Sequence, residues 1–240
     1  MNDAKPLKLP VSAIVLAGGK GERIGGNKLY LSVDGIYLVE SLIVKMFDIF
    51  DEILLCVGSG ESDAALNVFS PLTQRYSVVL VEDRSSGRGP IEGLCTGLIA
   101  MSNKWGFLIG CDMPNPLEDV ILYMWSRTVD LCEEYKVSAA SYDGHLMPLH
   151  AFYHKDCSHY INSLINQVDS ERIKLKDSRN RGSFNRELKL KSFYSGAKVN
   201  VIEENELAMI PEWRRSFAGF NTDEELNSIL DSSVTSTKVL

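Results

Sequence analysis

The sequence lacks the features that define several large protein classes. Its five cysteines are odd in number and show no CxxC or Cys/His spacing, and its four histidines show no repeated ligand spacing. We therefore predict neither a disulfide framework nor a zinc site, but reduced thiols in a reducing compartment. The apolar stretch Val11–Ala17 is too short for a signal peptide, and no run reaches the roughly 20 residues of a membrane span. We expect a cytoplasmic globular protein.

Positive charge is also in deficit. The chain has 25 basic and 32 acidic residues, which gives a formal net charge of -7. General nucleic-acid binders and proteins of anionic membrane surfaces need a dominant positive field, so we expect neither nucleic acid nor a membrane as a partner. A nucleotide stays possible, because a few local cations and backbone N–H groups can hold a triphosphate on an acidic protein.

Short apolar runs alternate with helical patterns over the first 155 residues, which indicates an α/β domain with a mostly parallel sheet. The predicted strands are Val11–Leu16, Glu52–Val57, Val78–Glu82 and Trp105–Cys111, with two further extended runs at Val137–Tyr142 and Met147–Tyr153. The predicted helices are Leu38–Phe50, Asp63–Gln74, Ile91–Asn103, Leu117–Tyr135 and Lys155–Val168. We expect regular structure again at Lys198–Ile202 and at Asp223–Leu230. We predict a single domain over residues 1–240.

The segment from Arg172 to Lys191 is basic and has poor periodicity, so we predict a long loop there. Two interpretations stay open for it. It is either a solvated loop or a segment that binds the phosphate of an anionic acceptor.

A glycine-rich loop directly follows the first predicted strand. From Leu16 to Lys28 the sequence reads LAGGKGERIGGNK, with five glycines and three cations. Glycine lets the backbone approach phosphates closely, and open α/β folds bind ligands at the carboxyl edge of the sheet. The alternative is a flexible turn without a ligand. The combination of glycines, cations and a preceding buried strand favours a triphosphate site.

Two common phosphate-binding motifs do not fit this loop. Gly21 and Gly26 have the Walker spacing, but Asn27 stands where that motif needs lysine. The dinucleotide motif fails because Ile24 stands where its third glycine belongs. We therefore expect neither a P-loop NTPase nor a simple dinucleotide-binding protein.

The loop resembles LAGGx[SG]xR[MI]GxxK, the pattern of the MobA-like nucleotidyltransferases, and especially of the molybdenum cofactor guanylyltransferases. The resemblance implies a three-layer, Rossmann-like fold. It also implies that Leu16, Ala17, Gly18 and Gly19 contact the nucleotide, while Arg23 and Lys28 hold its phosphates. Relatives that use cytosine nucleotides have LAAG, so Gly18 points to GTP.

Two carboxylates follow predicted strands at the same edge. Asp83 precedes a GPIEG turn over Gly89–Gly93, which resembles the family's GP[LI]xG and implies that Asp83 recognises the nucleotide. The alternative is a polar residue that only ends a strand. Asp112 lies in CDMP, which is similar to the family's CDxP and implies the Mg²⁺ ligand. The alternative for Asp112 is the N-cap of the helix that follows.

Near the C-terminus, FNTDEEL from Phe220 to Leu226 resembles the family's N[IV]NTPE[DE]L. The match implies that Asn221 binds the acceptor. The alternative is a capping box, with Thr222 as the cap and Glu225 three residues later. His145 and His150 lie in a stretch similar to the family's GxxxPL, and we interpret both as structural rather than metal-binding.

The resemblance covers roughly residues 11–169, and residues 199–230 more weakly. It divides the domain into a nucleotide-binding core (about 11–169), an acceptor-side extension (170–230) and a flexible tail (231–240). It implies a Mg²⁺-dependent transfer of GMP from GTP to molybdopterin bearing molybdenum, with Arg23, Lys28 and Asp112 catalytic, and transient contact with other molybdenum-cofactor proteins. The alternatives are a cytidylyl- or sugar-phosphate nucleotidyltransferase of the same fold, or a non-catalytic nucleotide sensor.

Overall fold

The computed structural model describes residues 8–18, 27–177, 190–194, 196–220, 222, 224–226 and 228–229. The strands within these residues are β1 (Leu9–Leu16), β2 (Ser32–Val33), β3 (Ile36–Tyr37), β4 (Phe50–Val57), β5 (Val79–Glu82), β6 (Trp105–Gly110), β7 (Val137–Tyr142), β8 (His145–His154) and β9 (Val199–Ile202). The α-helices are α1 (Leu38–Ile49), α2 (Ser62–Tyr76), α3 (Pro90–Ala100), α4 (Glu118–Asp130), α5 (Cys157–Asp177), α6 (Leu190–Tyr194) and α7 (Glu204–Leu207). Two 3-10 helices cover Lys28–Tyr30 and Trp213–Phe217.

Seven of these strands form one twisted sheet in the order β5-β4-β1-β6-β8-β7-β9. β1 is parallel to both β4 and β6, and β4 is parallel to β5. β8 runs antiparallel to its neighbours β6 and β7, and β9 is parallel to β7. The carboxyl ends of β5, β4, β1 and β6 therefore meet at one edge of the sheet.

Helices cover both faces of the sheet, which gives the three layers that the family resemblance implied. Alternate residues of β1 point to opposite faces, because successive side chains of a strand do so. Val15 contributes to the core on one side, beneath α1, α2 and α4, while Ile14 contributes to the core beneath α3, α5 and α6. The strand is buried on both faces, which is why its sequence is almost entirely apolar, with Ser12 the exception.

The predicted α/β class and the six predicted strands and extended runs are confirmed, and the regular structure expected at Lys198–Ile202 is strand β9. The five predicted helices are present as α1 to α5 with less accurate ends, whereas the short elements β2, β3, α6 and α7 were not predicted. The helix predicted over Leu117–Tyr135 begins at Glu118 and ends at Asp130, because Leu131 leaves helical dihedrals at φ -122° and ψ 14°. Pro90 begins α3 as predicted, after Gly89 at a φ of 69°.

The prediction of a long loop from Arg172 to Lys191 is wrong in part. α5 continues nine residues past its predicted end at Val168 and finishes at Asp177, and α6 begins at Leu190. Residues 178–189 lie outside the described part of the chain. The basic side chains that weakened the apolar pattern do not stop a helix, since lysine and arginine have good helical propensity.

Of the helices that the structure describes, none is both long enough and apolar enough to span a bilayer.

Candidate functional site

Backbone hydrogen bonds join the strand ends at the carboxyl edge of the sheet. The Cys111 N–H donates to the Leu16 carbonyl at 2.9 Å, and the Ala17 N–H donates to the Cys56 carbonyl at 2.8 Å. The Asp83 N–H donates to the Val57 carbonyl at 2.9 Å. The segments after β1, β5 and β6 are thus held side by side, and each of them carries predicted site residues.

Gly18 lies where the chain leaves β1 and passes very close to the turn after β4. A Cβ added at Gly18 would be 3.0 Å from the Gly58 nitrogen. A larger residue at this position would need the Gly58 backbone to move by a few tenths of an ångström. The close packing therefore favours a small residue here, independently of the nucleotide.

Lys28 and Asp112 form an ion pair at this edge. The Lys28 Nζ lies 2.7 Å from the Asp112 Oδ2, and the two side chains are 19% and 23% exposed. Lys28 begins a 3-10 helix that Asn27 caps, with the Asn27 Oδ1 accepting from the Leu29 N–H at 3.0 Å. The pair brings together the end of the glycine-rich loop and the segment after β6.

The segment that carries Asp112 is anchored from two sides. The Phe220 N–H donates to the Asp112 carbonyl at 3.1 Å, and a Cβ at Gly219 would lie 3.3 Å from the same oxygen. The Lys45 Nζ donates to the Pro114 carbonyl at 2.8 Å. Since α4 begins only at Glu118, Asp112 is not a helix N-cap, and that alternative is wrong.

Asp83 has a buried carboxylate oxygen, Oδ1, for which no hydrogen-bond partner is found within the described residues. Burial, together with the negative charges of Glu92 and Glu61, raises the pKa of Asp83 to about 7. A Cβ at Gly93 would lie 2.7 Å from Leu16 Cδ2 and 3.5 Å from the free Asp83 oxygen. Asp83 therefore offers an unused acceptor beside the end of β1 rather than a strand-ending polar group in water.

A buried glutamate next to Asp83 was missed at the sequence level. The fully buried Glu92, in the first turn of α3, accepts from Arg84 Nε and from Arg88 NH1, each at 3.0 Å. Arg88 also pairs with Asp169 on α5, and Arg84 NH1 donates to Asn162 Oδ1 at 2.9 Å. The only hint in the sequence was a charged residue inside the GPIEG turn, a position that the motif leaves unspecified.

Three predicted site residues, Gly19, Arg23 and Asn221, lie outside the described residues. Beside the last of these, Thr222 Oγ1 accepts from the Glu225 N–H at 3.2 Å, which is one of the two hydrogen bonds of the capping box. The role of Asn221 stays a prediction.

The two histidines of β8 occupy contrasting environments. His145 is exposed, whereas His150 is fully buried between the rings of Phe107 and Phe217, with its Nε2 2.7 Å from Ser216 Oγ. Burial lowers the pKa of His150 to about 3, so the imidazole stays neutral. His150 thus ties β8 to the segment that precedes Phe220, which is a structural role.

The sequence matches the model of a protein family described as the MobA-like NTP transferase domain over residues 13–179. It is 32% identical over 216 residues to a probable molybdenum cofactor guanylyltransferase of Natranaerobius thermophilus, covering 90% of this chain and 93% of that protein. It is 24% identical over 218 residues to one of the same name from Pelotomaculum thermopropionicum, covering 91% of each.

The fold is similar to the crystal structure of molybdopterin-guanine dinucleotide biosynthesis protein A from Archaeoglobus fulgidus. The TM-score is 0.72 at 19% sequence identity, and the match covers 94% of this chain and 100% of that one. At this identity the likeness concerns the fold.

The raised pKa of Asp83 predicts a pH-dependent stability. Asp83 has a pKa of about 7 in the folded state and about 4 in the unfolded chain, so between these values the folded state binds more protons. Stability from this group therefore falls as the pH rises from about 4 to 7, and then levels off. We expect Asp83→Asn to raise the melting temperature, with an advantage over the wild type that grows across this window. Asp34→Asn, at an exposed turn carboxylate, is the matched control and should show no such growth.

The buried Glu92 predicts a large loss of stability when its charge is removed. Glu92→Gln leaves Arg84 and Arg88 facing a neutral amide, and breaking a buried ion pair of this kind costs about 3 kcal/mol. Urea denaturation at pH 7 would measure the free energy of unfolding. Glu134→Gln, which breaks an exposed pair with Lys198, should change it far less. Equal changes in the two variants would contradict the structural role of Glu92.

Proposed function

Because the chain belongs to the MobA-like NTP transferase family, we propose that it is a molybdenum cofactor guanylyltransferase, which transfers GMP from GTP to molybdopterin bearing molybdenum. The observation that carries this proposal is the meeting of Lys28, Asp112 and Asp83 with the end of β1 at one edge of the sheet. That edge is where open α/β folds bind ligands. We infer the acceptor, molybdopterin, from the names of the related proteins.

On the nucleotide side, Asp83 is the residue that we expect to recognise the base. Guanine presents two neighbouring N–H donors, N1–H and N2–H, that a carboxylate can accept. The buried free oxygen of Asp83 suits such a donor, because an unpaired buried acceptor is costly and a ligand would satisfy it. We propose that the Leu16–Gly18 backbone, at the same edge of the sheet, contacts the base and ribose.

The residues at the edge also fit a magnesium ion. Within the described residues no group of three or more histidine, cysteine, aspartate or glutamate side chains is arranged to hold a metal. Magnesium on a triphosphate needs only one or two protein carboxylates, since phosphate oxygens and waters complete its shell. Asp112 is a partly exposed carboxylate at this edge and would hold the ion, which neutralises phosphate charge when bound.

The chemistry requires little of the protein beyond positioning. The terminal phosphate of the acceptor attacks the α-phosphorus of GTP, the bond from that phosphorus to the bridging oxygen breaks, and pyrophosphate leaves. The nucleophile is already an anion, so no general base is needed. Lys28 stabilises the charge that develops on the leaving pyrophosphate, and we propose the same role for Arg23. Asn221 remains our proposed contact to the acceptor.

Pyrophosphate release tests this function directly. We expect release with GTP, Mg²⁺ and molybdenum-loaded molybdopterin, and little with CTP or ATP. Pyrophosphate release with CTP would agree with the proposed mechanism but contradict the assignment of guanine as the base. A lack of release with all three, despite nucleotide binding, would support another acceptor or a sensor.

Substitutions at the ion pair test the proposed roles. Asp112→Asn should abolish release, and Lys28→Met should lower kcat on the order of 10²–10³-fold, as for other preorganised charge-stabilising groups. Lys198→Met is the matched control, because it also removes a lysine paired with a carboxylate, Glu134, but at the distant β9 edge. A similar loss in Lys28→Met and Lys198→Met would contradict a catalytic role for Lys28.

A further inference from the structure

Glu61 stands between the turn after β4 and the end of the glycine-rich loop. Its Oε2 accepts from the Gly58 N–H at 2.9 Å, and its Oε1 accepts from the Asn27 Nδ2 at 2.8 Å. Its own N–H donates to the Gly58 carbonyl at 3.0 Å. Both carboxylate oxygens are therefore used, one by the turn and one by Asn27.

The turn from Gly58 to Glu61 contacts the glycine-rich loop at both of its ends. Gly18, at the start of the loop, packs its backbone against the Gly58 nitrogen. Asn27, at the end of the loop, bonds to Glu61. The first contact needs only small residues, whereas the second depends on the Glu61 side chain.

The Glu61 bond is transmitted to Lys28 through Asn27. The side-chain nitrogen of Asn27 is held by Glu61, so its Oδ1 is oriented to accept from Leu29 and to cap the 3-10 helix. Lys28 is the first residue of that helix, and its Nζ reaches Asp112 Oδ2. The turn after β4 is thus connected to Asp112 by the Glu61–Asn27 and Asn27–Leu29 hydrogen bonds, the backbone of the 3-10 helix at Lys28, and the ion pair of Lys28 with Asp112.

We propose that Glu61 is a positioning residue for Lys28: it fixes Asn27, and through Asn27 it fixes the lysine that meets the phosphates. The identity of the ligand, a triphosphate, rests on the proposed function. The contacts of Glu61, Asn27 and Lys28 do not depend on it. Glu61 lies in none of the motifs that carry the family resemblance, and its role depends on the contact between two loops 34 residues apart in sequence.

The first test is a double-substitution cycle on GTP binding, measured by calorimetry with Mg²⁺. Glu61→Gln can no longer accept from both donors, so we expect Kd to rise about tenfold, as for loss of a hydrogen bond to a charged group. If Glu61 acts through Lys28, adding Glu61→Gln to Lys28→Met should cost nothing further. If Glu61→Gln only weakened the turn, the double variant would show the increase in Kd of both single variants combined.

Glu82→Gln is the matched control. Glu82 also anchors the same turn, because its carboxylate accepts from the Gly60 N–H at 2.7 Å and from Ser62 Oγ, but neither bond reaches Asn27. We expect its Kd for GTP to stay within about twofold of the wild type, since exposed hydrogen bonds contribute little. Equal losses in Glu61→Gln and Glu82→Gln would overturn the proposal.

A second measurement needs no nucleotide. Acylation of Lys28 by a lysine-reactive ester, followed by mass spectrometry, reports how well the Asp112 pair protects the amine. We expect faster labelling of Lys28 in Glu61→Gln and in Asn27→Ala, and unchanged labelling in Glu82→Gln. A wild-type protein that bound no nucleotide would contradict the proposed function. The labelling of Lys28 would still test the role of Glu61, because it needs no nucleotide. Unchanged labelling in both the Glu61 and the Asn27 variant would refute it.

Discussion

The parallel pairing of β1 with β4 on one side and β6 on the other is the constraint on which the site depends. Parallel strands end at the same edge, so the residues after β1 and β6 meet although about 95 residues separate them in sequence. The Cys111 to Leu16 hydrogen bond extends this pairing beyond the sheet. The ion pair of Lys28 with Asp112 then follows from where these strands end.

Negative charge is concentrated around this edge and is balanced in two different ways. Glu92 is buried but paired with two arginines, so its charge is compensated within the protein. Asp83 has a buried oxygen without a hydrogen-bond partner among the described residues, and burial raises its pKa to about 7, which disfavours its ionised form. A buried carboxylate of this kind lowers the stability of the folded protein. Carboxylates with strongly shifted pKa values are concentrated at functional sites.

The segment before Phe220 connects the far half of the sheet to the same edge. His150 on β8 contacts Ser216 and Phe217, and the Phe220 N–H reaches the Asp112 carbonyl. The C-terminal segment, in which the family resemblance is weaker, therefore packs directly against the segment that carries Asp112. A neutral, buried His150 suits this packing, because a charged ring would carry a desolvation cost between two aromatic rings.

The sequence by itself indicated the fold class, the long strands and helices α1 to α5, and it singled out Asp83, Asp112 and Lys28, because apolar runs and short motifs are local signals. It did not predict the short elements β2, β3, α6 and α7, or the helix ends, which depend on single residues such as Leu131. Only the tertiary structure decided the roles of Glu61 and Glu92. Glu61 meets Asn27, which is 34 residues away in sequence, and no local pattern records such a contact. The arginines that pair with Glu92 are near it in sequence, but its full burial depends on how α3 packs in the fold.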